Sequence, residues 1–265
     1  MDTVRKFIIG LVCLLGLAVV VDFAAAAYSE YRVSRTLRAG GELPSDPEVT
    51  IHGFPFLTQA YAGKYENIAI RAYGVKADVV NETFIEANLF GVRLPTRDIV
   101  EGKVHSVAVD RVDGAIRIDA TELGQLYGIP DLQVSAPPAD KSDGTGGSGG
   151  SGLTTSGGVV LTGTVPTTGP TGKGRFAVKA ELVLEADVVR IVASDLYRGP
   201  GAPADQALPE PDRGAVLGRF THTIDTRSLP FGLRPTKVTA EGSQVVIQGS
   251  GDNVVIDLDE LQKQR

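Results

Sequence analysis

The sequence predicts a mainly β (α+β) fold carried behind an N-terminal membrane helix, and three observations point there. Fifteen residues from Phe7 to Val21 carry no polar side chain, which is the composition of a membrane span or a signal. Beyond Pro47, apolar residues recur at every second position, as in Ile68, Ile70 and Ala72 or Ile116 and Ile118, instead of at helical spacing. The clearest alternation runs from Val178 to Val188. There Val178, Ala180, Leu182, Leu184, Ala186 and Val188 interleave with Lys179, Glu181, Val183, Glu185 and Asp187, the pattern of a strand with one dry and one wet face.

Taken in order, the chain begins with Arg5 and Lys6, then the apolar run, then Asp22, Phe23 and four alanines, Ala24 to Ala27. Residues 1–27 fit two descriptions. A cleaved secretory signal has a basic start, an apolar core of about 7–15 residues and a small-residue site, which Ala24 to Ala26 supplies. An uncleaved signal anchor needs about 17–25 mostly apolar residues, which Phe7 to Ala27 supplies with Asp22 near the far interface. The helical pattern continues without Gly or Pro to Ala39 and stops at Gly40-Gly41 and Pro44; this continuity favours the anchor. At about 100° per residue, Val33 and Leu37 fall on one face, and Arg32, Arg35 and Arg38 fall on the other with Tyr28 and Tyr31. The expected location is a single-pass cell-membrane protein with its bulk on the extracytoplasmic side, secreted if the segment is cleaved. Cys13 sits inside the apolar run behind Val12, where a lipidation site wants a small residue before the cysteine.

Short helices are expected over Leu57 to Ala62, after Pro55, and over Thr121 to Tyr127, capped at Asp119 or Thr121 and ended by Gly128 and Pro130. Asp110, Asp113 and Asp119 around Gly114 suit a solvated hairpin. After Val188 the apolar set shifts to Val189, Ile191 and Ala193, which predicts a bulge near 188–190 in one strand running on to Ala193. Sixteen residues of strand span about 50 Å at 3.3 Å each, the length that an extended, curved antiparallel sheet needs. Residues 139–158 hold a Gly/Ser tract of flexible-coil composition. The strand-rich stretches on either side are too poor in helix to close separately. One β-rich domain over 28–260 is therefore expected, with the tract as a loop inside it.

Several chemistries are disfavoured. The net charge is -6, and the basic residues are scattered among acids, so nucleic acid is not an expected partner. Cys13 is the single cysteine, so the folded part forms no disulfide and has no thiol nucleophile. His52, His105 and His222 have no second ligand at metal spacing, and neither a metal nor a cofactor is expected. Gly146-Gly-Ser-Gly-Gly150 matches the nucleophile-elbow pattern in letters only, since it lacks the flanking strand and helix that the elbow requires. A Ser/His/Asp set drawn from Ser106, His105 or His222 and Asp110 or Asp225 is possible only by assembly in space.

The stretch Val49-Thr-Ile-His-Gly-Phe-Pro-Phe-Leu57, then Tyr61, Gly63, Ile68 to Ala72 and Tyr73-Gly74-Val75, resembles the actinobacterial cell-envelope family typified by the mycobacterial lipomannan elongation maintenance protein. Leu229-Pro-Phe-Gly-Leu233 with the strand after Val245 is similar to that family's C-terminal end. The resemblance covers about 20–257, apart from the glycine tract and 196–215, which look like insertions. It implies a long antiparallel sheet wrapping a helix, as in tubular lipid-binding folds. It also implies contact with membrane phospholipid and a role in cell-envelope maintenance. The expected function is thus a membrane-tethered lipid- or phospholipid-binding protein whose partner is membrane phospholipid or another acyl-chain lipid. The alternative is a phospholipase A-type esterase. An aliphatic groove is expected to be lined by Phe54, Phe56, Leu57, Ile68, Ile70, Leu182, Leu184 and Phe231.

Overall fold

A computed structural model of the chain describes residues 2–41, 43–77, 80–94, 106–135, 158–167, 172–203, 210–226 and 233–257. The helices are α1 (Asp2–Gly41), α2 (Phe56–Ala62), α3 (Ala120–Tyr127) and α4 (Glu210–Phe220). The strands are β1 (Glu48–His52), β2 (Lys64–Ala77), β3 (Val80–Arg93), β4 (Ser106–Asp119), β5 (Gln133–Ser135), β6 (Gly158–Pro166), β7 (Lys173–Glu185), β8 (Val188–Leu196), β9 (His222–Asp225), β10 (Arg234–Glu241) and β11 (Gln244–Asp257). The mainly β class with an apolar N-terminal helix is as the sequence predicts. The strands divide between two sheets, ordered β1-β2-β3-β4-β11-β10 and β5-β6-β7-β8-β9.

The chain packs as two compact units: Met1–Tyr73 with Glu86–Asp113 and Gly251–Arg265, and Gly74–Ile85 with Gly114–Ser250. In the first unit, β1 pairs antiparallel with β2, setting Val49 against Ile70 and Ile51 against Ile68. Such directly opposed apolar pairs fix the register, because a one-residue slip turns every side chain to the other face. Phe56, Tyr65, Leu89, Val92 and Val112 are buried here. β1 is the end strand of its sheet, and α1 lies along its open edge. Glu30 Oε1 accepts the Ile51 N–H at 2.7 Å, and Ser34 Oγ donates to the Pro47 carbonyl at 2.6 Å. An edge left bare invites pairing with another chain; here the helix covers it.

In the second unit, β6, β7 and β8 form consecutive antiparallel pairs. α4 packs over β8 and β6, burying Val216 and Phe220. β10 packs against β7.

Three local expectations are corrected. The apolar phase change near Val188 is no bulge but a hairpin: β7 ends at Glu185, the chain turns through Ala186-Asp187, and Glu185 pairs with Val188. A two-residue turn brings Leu184 opposite Val189 and Leu182 opposite Ile191, so even positions before the turn share a face with odd positions after it. The parity switch is the signature of the reversal itself. Gly114 makes no hairpin, because β4 runs through it unbroken from Ser106 to Asp119. Asp119 does occupy the N-cap position of α3 but makes no capping bond; its carboxylate instead accepts from Gln244 Nε2 at 2.6 Å.

The glycine tract lies outside the described residues. The strands on either side of it, β5 and β6, pair with each other, Ser135 opposite Val160.

Candidate functional site

α1 is one uninterrupted helix of 40 residues, and its two ends behave differently. Every residue from 3 to 21 is exposed. Within this stretch the uncharged run Phe7–Val21 spans about 22 Å at 1.5 Å rise, and Arg5 and Lys6 before it extend the reach toward the roughly 30 Å hydrocarbon core by snorkelling to the near interface. The helix is long and apolar enough to cross a membrane. From Asp22 onward the helix is pinned to the first unit. Measured from Asp22 at about 100° per residue, Val33, Leu37, Glu30 and Ser34 fall within about 120° on one side. Asp22 and Ser34 are buried, and Glu30, Val33 and Leu37 are partly so. Tyr28, Tyr31, Arg32, Arg35 and Arg38 fall on the opposite side and are exposed. Arg38 pairs with Asp46 at 3.0 Å, and the Arg35 guanidinium lies 5.9 Å from the Tyr31 ring centroid.

The corner at residues 53–63 is built around the junction of these two ends. Gly53 has φ +104, and a Cβ there would come within 2.6 Å of the Gln59 amide, so only glycine fits. The Phe54–Pro55 peptide is cis. α2 then starts with its first amides aimed at α1: Asp22 Oδ2 accepts from the Phe56 N–H and Oδ1 from the Leu57 N–H, both at 2.8 Å. These are two of the orphan donors that every helix start leaves, and a carboxylate also suits the positive end of the helix. Gln59 is buried and completes the corner. Its amide donates to the His52 carbonyl at 3.3 Å, and its oxygen accepts from the Glu66 N–H at 2.9 Å. Gly63, in the left-handed region at φ 62, closes α2 with its N–H on Ala60 O.

Of the residues expected to line a groove, Phe56 is 5% exposed with its ring 6.3 Å from that of Tyr65. Phe54 is 61% exposed and Leu57 46%. The Phe54 ring stacks on Phe23 of α1, centroids 5.9 Å apart. Ile68 and Ile70 are partly buried on β2, paired across the sheet with Ile51 and Val49 of β1. Leu182 and Leu184 belong to the second unit, on β7, Leu182 buried and Leu184 partly so. Phe231 and the Pro-Phe corner around it lie outside the described residues.

The second unit has a cleft of about 550 Å³, lined by Leu132, Gln133, Val134 and Ser135 with Val160, Thr162, Tyr197 and Ser243 among others. Its volume is within the range of small-molecule sites, and none of its lining residues among those described is charged. Elsewhere in this unit His222 lies flat on Tyr127, ring centroids 3.7 Å apart and 9° from coplanar. Its Nε2 donates to the Arg219 carbonyl at 2.9 Å. Burial, aided by the Arg219 charge, pulls the imidazole below its ordinary pKa against the pull of that carbonyl. Burial pushes the Tyr127 hydroxyl pKa well up, and that hydroxyl has no hydrogen-bond partner among the described residues. Ser106 is exposed at the start of β4 in the other unit, and His105 lies outside the described residues. Among the described residues no group of three or more His, Cys, Asp or Glu is arranged to hold a metal.

Asp22, Glu30, Ser34 and Gln59 were not singled out from sequence as site residues. The signal for the first three was present, since they share the helical face of Val33 and Leu37. Gln59 carries no such signal, because its partners are set by tertiary folding. The sequence model of a family described as LmeA-like phospholipid-binding matches residues 20–250. No match was found among curated proteins or solved structures.

Proposed function

Because the chain belongs to the LmeA-like phospholipid-binding family, we propose that it is a membrane-tethered phospholipid-binding protein acting on the extracytoplasmic face in cell-envelope maintenance. The observation that carries the tether is α1. Its exposed stretch is long and apolar enough to cross a bilayer, and the same helix passes without a break into the contacts made by Asp22, Glu30 and Ser34. A signal that is cut away has no reason to place a buried carboxylate under the backbone of the corner it leaves behind. The family match begins at residue 20, which puts the docked half of α1 inside the matched region.

Residues 28–260 act as one lipid-handling domain, with the glycine tract a loop within it; the pairing of β5 with β6 supports this reading. Lipid contact is assigned to exposed Phe54 and Leu57, and the uncharged cleft beside β5 is the concavity suited to an acyl or glycerol-ester portion. An esterase reading gains no support from His222, whose Nε2 is engaged by a backbone carbonyl. Mass determination of the mature chain and carbonate washing of membranes test the tether. An N-terminus at or near Met1 and resistance to carbonate are expected. A mature start at Ala25 to Tyr28 with protein free in the medium would replace the tether with a cleaved signal.

A further inference from the structure

We propose that the residue 53–63 corner is a second membrane contact, dipping into the leaflet from which α1 emerges; this rests on the reading of α1 as a membrane span. From Gly53 to Gly63 no side chain is charged. α2 is amphipathic in the unusual sense for a surface helix. Phe56 and Gln59 face inward, while Leu57, Thr58, Tyr61 and Ala62 face out. Tyr61 is 94% exposed. Phe54 and Phe23, stacked on each other at the start of the same corner, are both mostly exposed, so among the described residues the corner presents an uncovered set of aromatic and aliphatic side chains. Scattered apolar residues on a surface need no explanation, whereas a contiguous patch marks an interaction site.

The position of the patch identifies its occupant. The corner is held to Asp22 through two backbone hydrogen bonds of 2.8 Å, and Asp22 is where the nineteen-residue exposed run of α1 ends. If the run from Phe7 to Val21 fills the hydrocarbon core, Phe23, Phe54 and Leu57 stand at the level where that core meets the headgroups, with Tyr61 one turn beyond Leu57 on α2. Phe, Tyr and Trp concentrate at this depth because an apolar ring body and a polar edge are both satisfied there. A neutral segment also avoids carrying charge into the interface. The two contacts, one spanning and one shallow, hold the first unit in a fixed orientation on the membrane instead of letting it swivel above a single helix.

The chain contains no Trp, so single tryptophans report depth without background. The full chain is reconstituted in phosphatidylcholine–phosphatidylglycerol vesicles with bromine either high or low on the acyl chains. Four variants are compared: Phe54→Trp, Tyr61→Trp, Leu15→Trp inside the span, and Tyr73→Trp. Tyr73 is exposed and nine residues up β2 from the corner, about 30 Å at strand rise. Quenching of Phe54→Trp and Tyr61→Trp, stronger by the high bromine than the low, with Tyr73→Trp unquenched, is the expected result. Quenching of Leu15→Trp while both corner tryptophans behave like Tyr73→Trp would overturn the corner contact, leave the tether standing and turn the patch over to a protein partner. An unquenched Leu15→Trp would remove the tether, and the corner contact with it.

Discussion

Replacing Asp22 separates a helix clamp from a mere interface residue. Asp22 is 5% exposed, and its carboxylate accepts from both the Phe56 and the Leu57 amide. Hydrogen bonds to a charged group contribute about 1.5–3 kcal/mol each, but two bonds sharing one carboxylate do not add in full. Taking the lower value for each, Asp22→Ala costs about 3 kcal/mol. At about 2–4 °C per kcal/mol for a domain of this size, the melt moves down by roughly 6–12 °C. Asp22→Asn keeps one acceptor oxygen and turns an NH2 toward the other amide, so it falls between Ala and the parent. Asp22→Leu is the sharper contrast. If Asp22 served only to end the span, leucine would lengthen the apolar run at no cost to α2, whereas a clamp makes it as damaging as alanine. Thermal unfolding of the full chain in detergent micelles, followed by its β-sheet spectrum, gives the global loss. Hydrogen exchange at the Phe56 and Leu57 amides gives the local one. A melt within about 2 °C of the parent, with both amides still protected in Asp22→Ala, would refute the clamp.

Ala186 is a non-glycine residue at φ 51 in the β7–β8 turn, a region that costs an L-residue about 1–2 kcal/mol. Ala186→Gly therefore stabilises by about 1 kcal/mol once the added unfolded-state freedom of glycine is subtracted, read as a higher melting temperature. Burial lowers the folded-state pKa of His222 below its unfolded value. The unfolded chain thus takes up the proton first, and stability is level above the unfolded pKa and falls as pH drops toward the folded one. His222→Phe, which keeps a ring on Tyr127, removes that part of the slope in a pH series of melts. Shortening Ser142 to Ser156 to a few residues changes stability by under about 1 kcal/mol, since each doubling of loop length costs only about 0.6 kcal/mol. Two separately melting fragments on cutting the tract would contradict its assignment as a loop.

Much of this architecture was legible because it rests on period. Val33 and Leu37 against Arg32, Arg35 and Arg38 foretold which face of α1 docks, and Ile68 and Ile70 foretold β2. What period cannot carry is reversal. The alternation from Val178 onward reads as one long strand because a two-residue turn without Gly or Asn leaves no turn signal, only the parity switch after Val188. Gly114 errs the other way: glycine and flanking aspartates look like a turn, yet β4 passes straight through. At the site, Phe54 and Phe56 are two positions apart in a motif that treats them alike. The corner sends Phe56 into the core and Phe54 outward onto Phe23, a split decided by tertiary contacts to Asp22 and Gln59. Asp22 itself was visible as the charge ending an apolar run, and its partners thirty-four and thirty-five residues away were not.

Bound lipid is the most direct measure of the central claim. The full chain, purified in detergent and carried through repeated detergent exchange, is extracted and its phospholipid counted by mass spectrometry, beside a peptide of residues 1–41 as the control for lipid held by a span alone. Phospholipid retained in stoichiometric amount by the full chain and lost from the peptide is the result predicted. Equal, residual lipid on both would contradict phospholipid binding by the folded part and leave only a tethered β-rich protein.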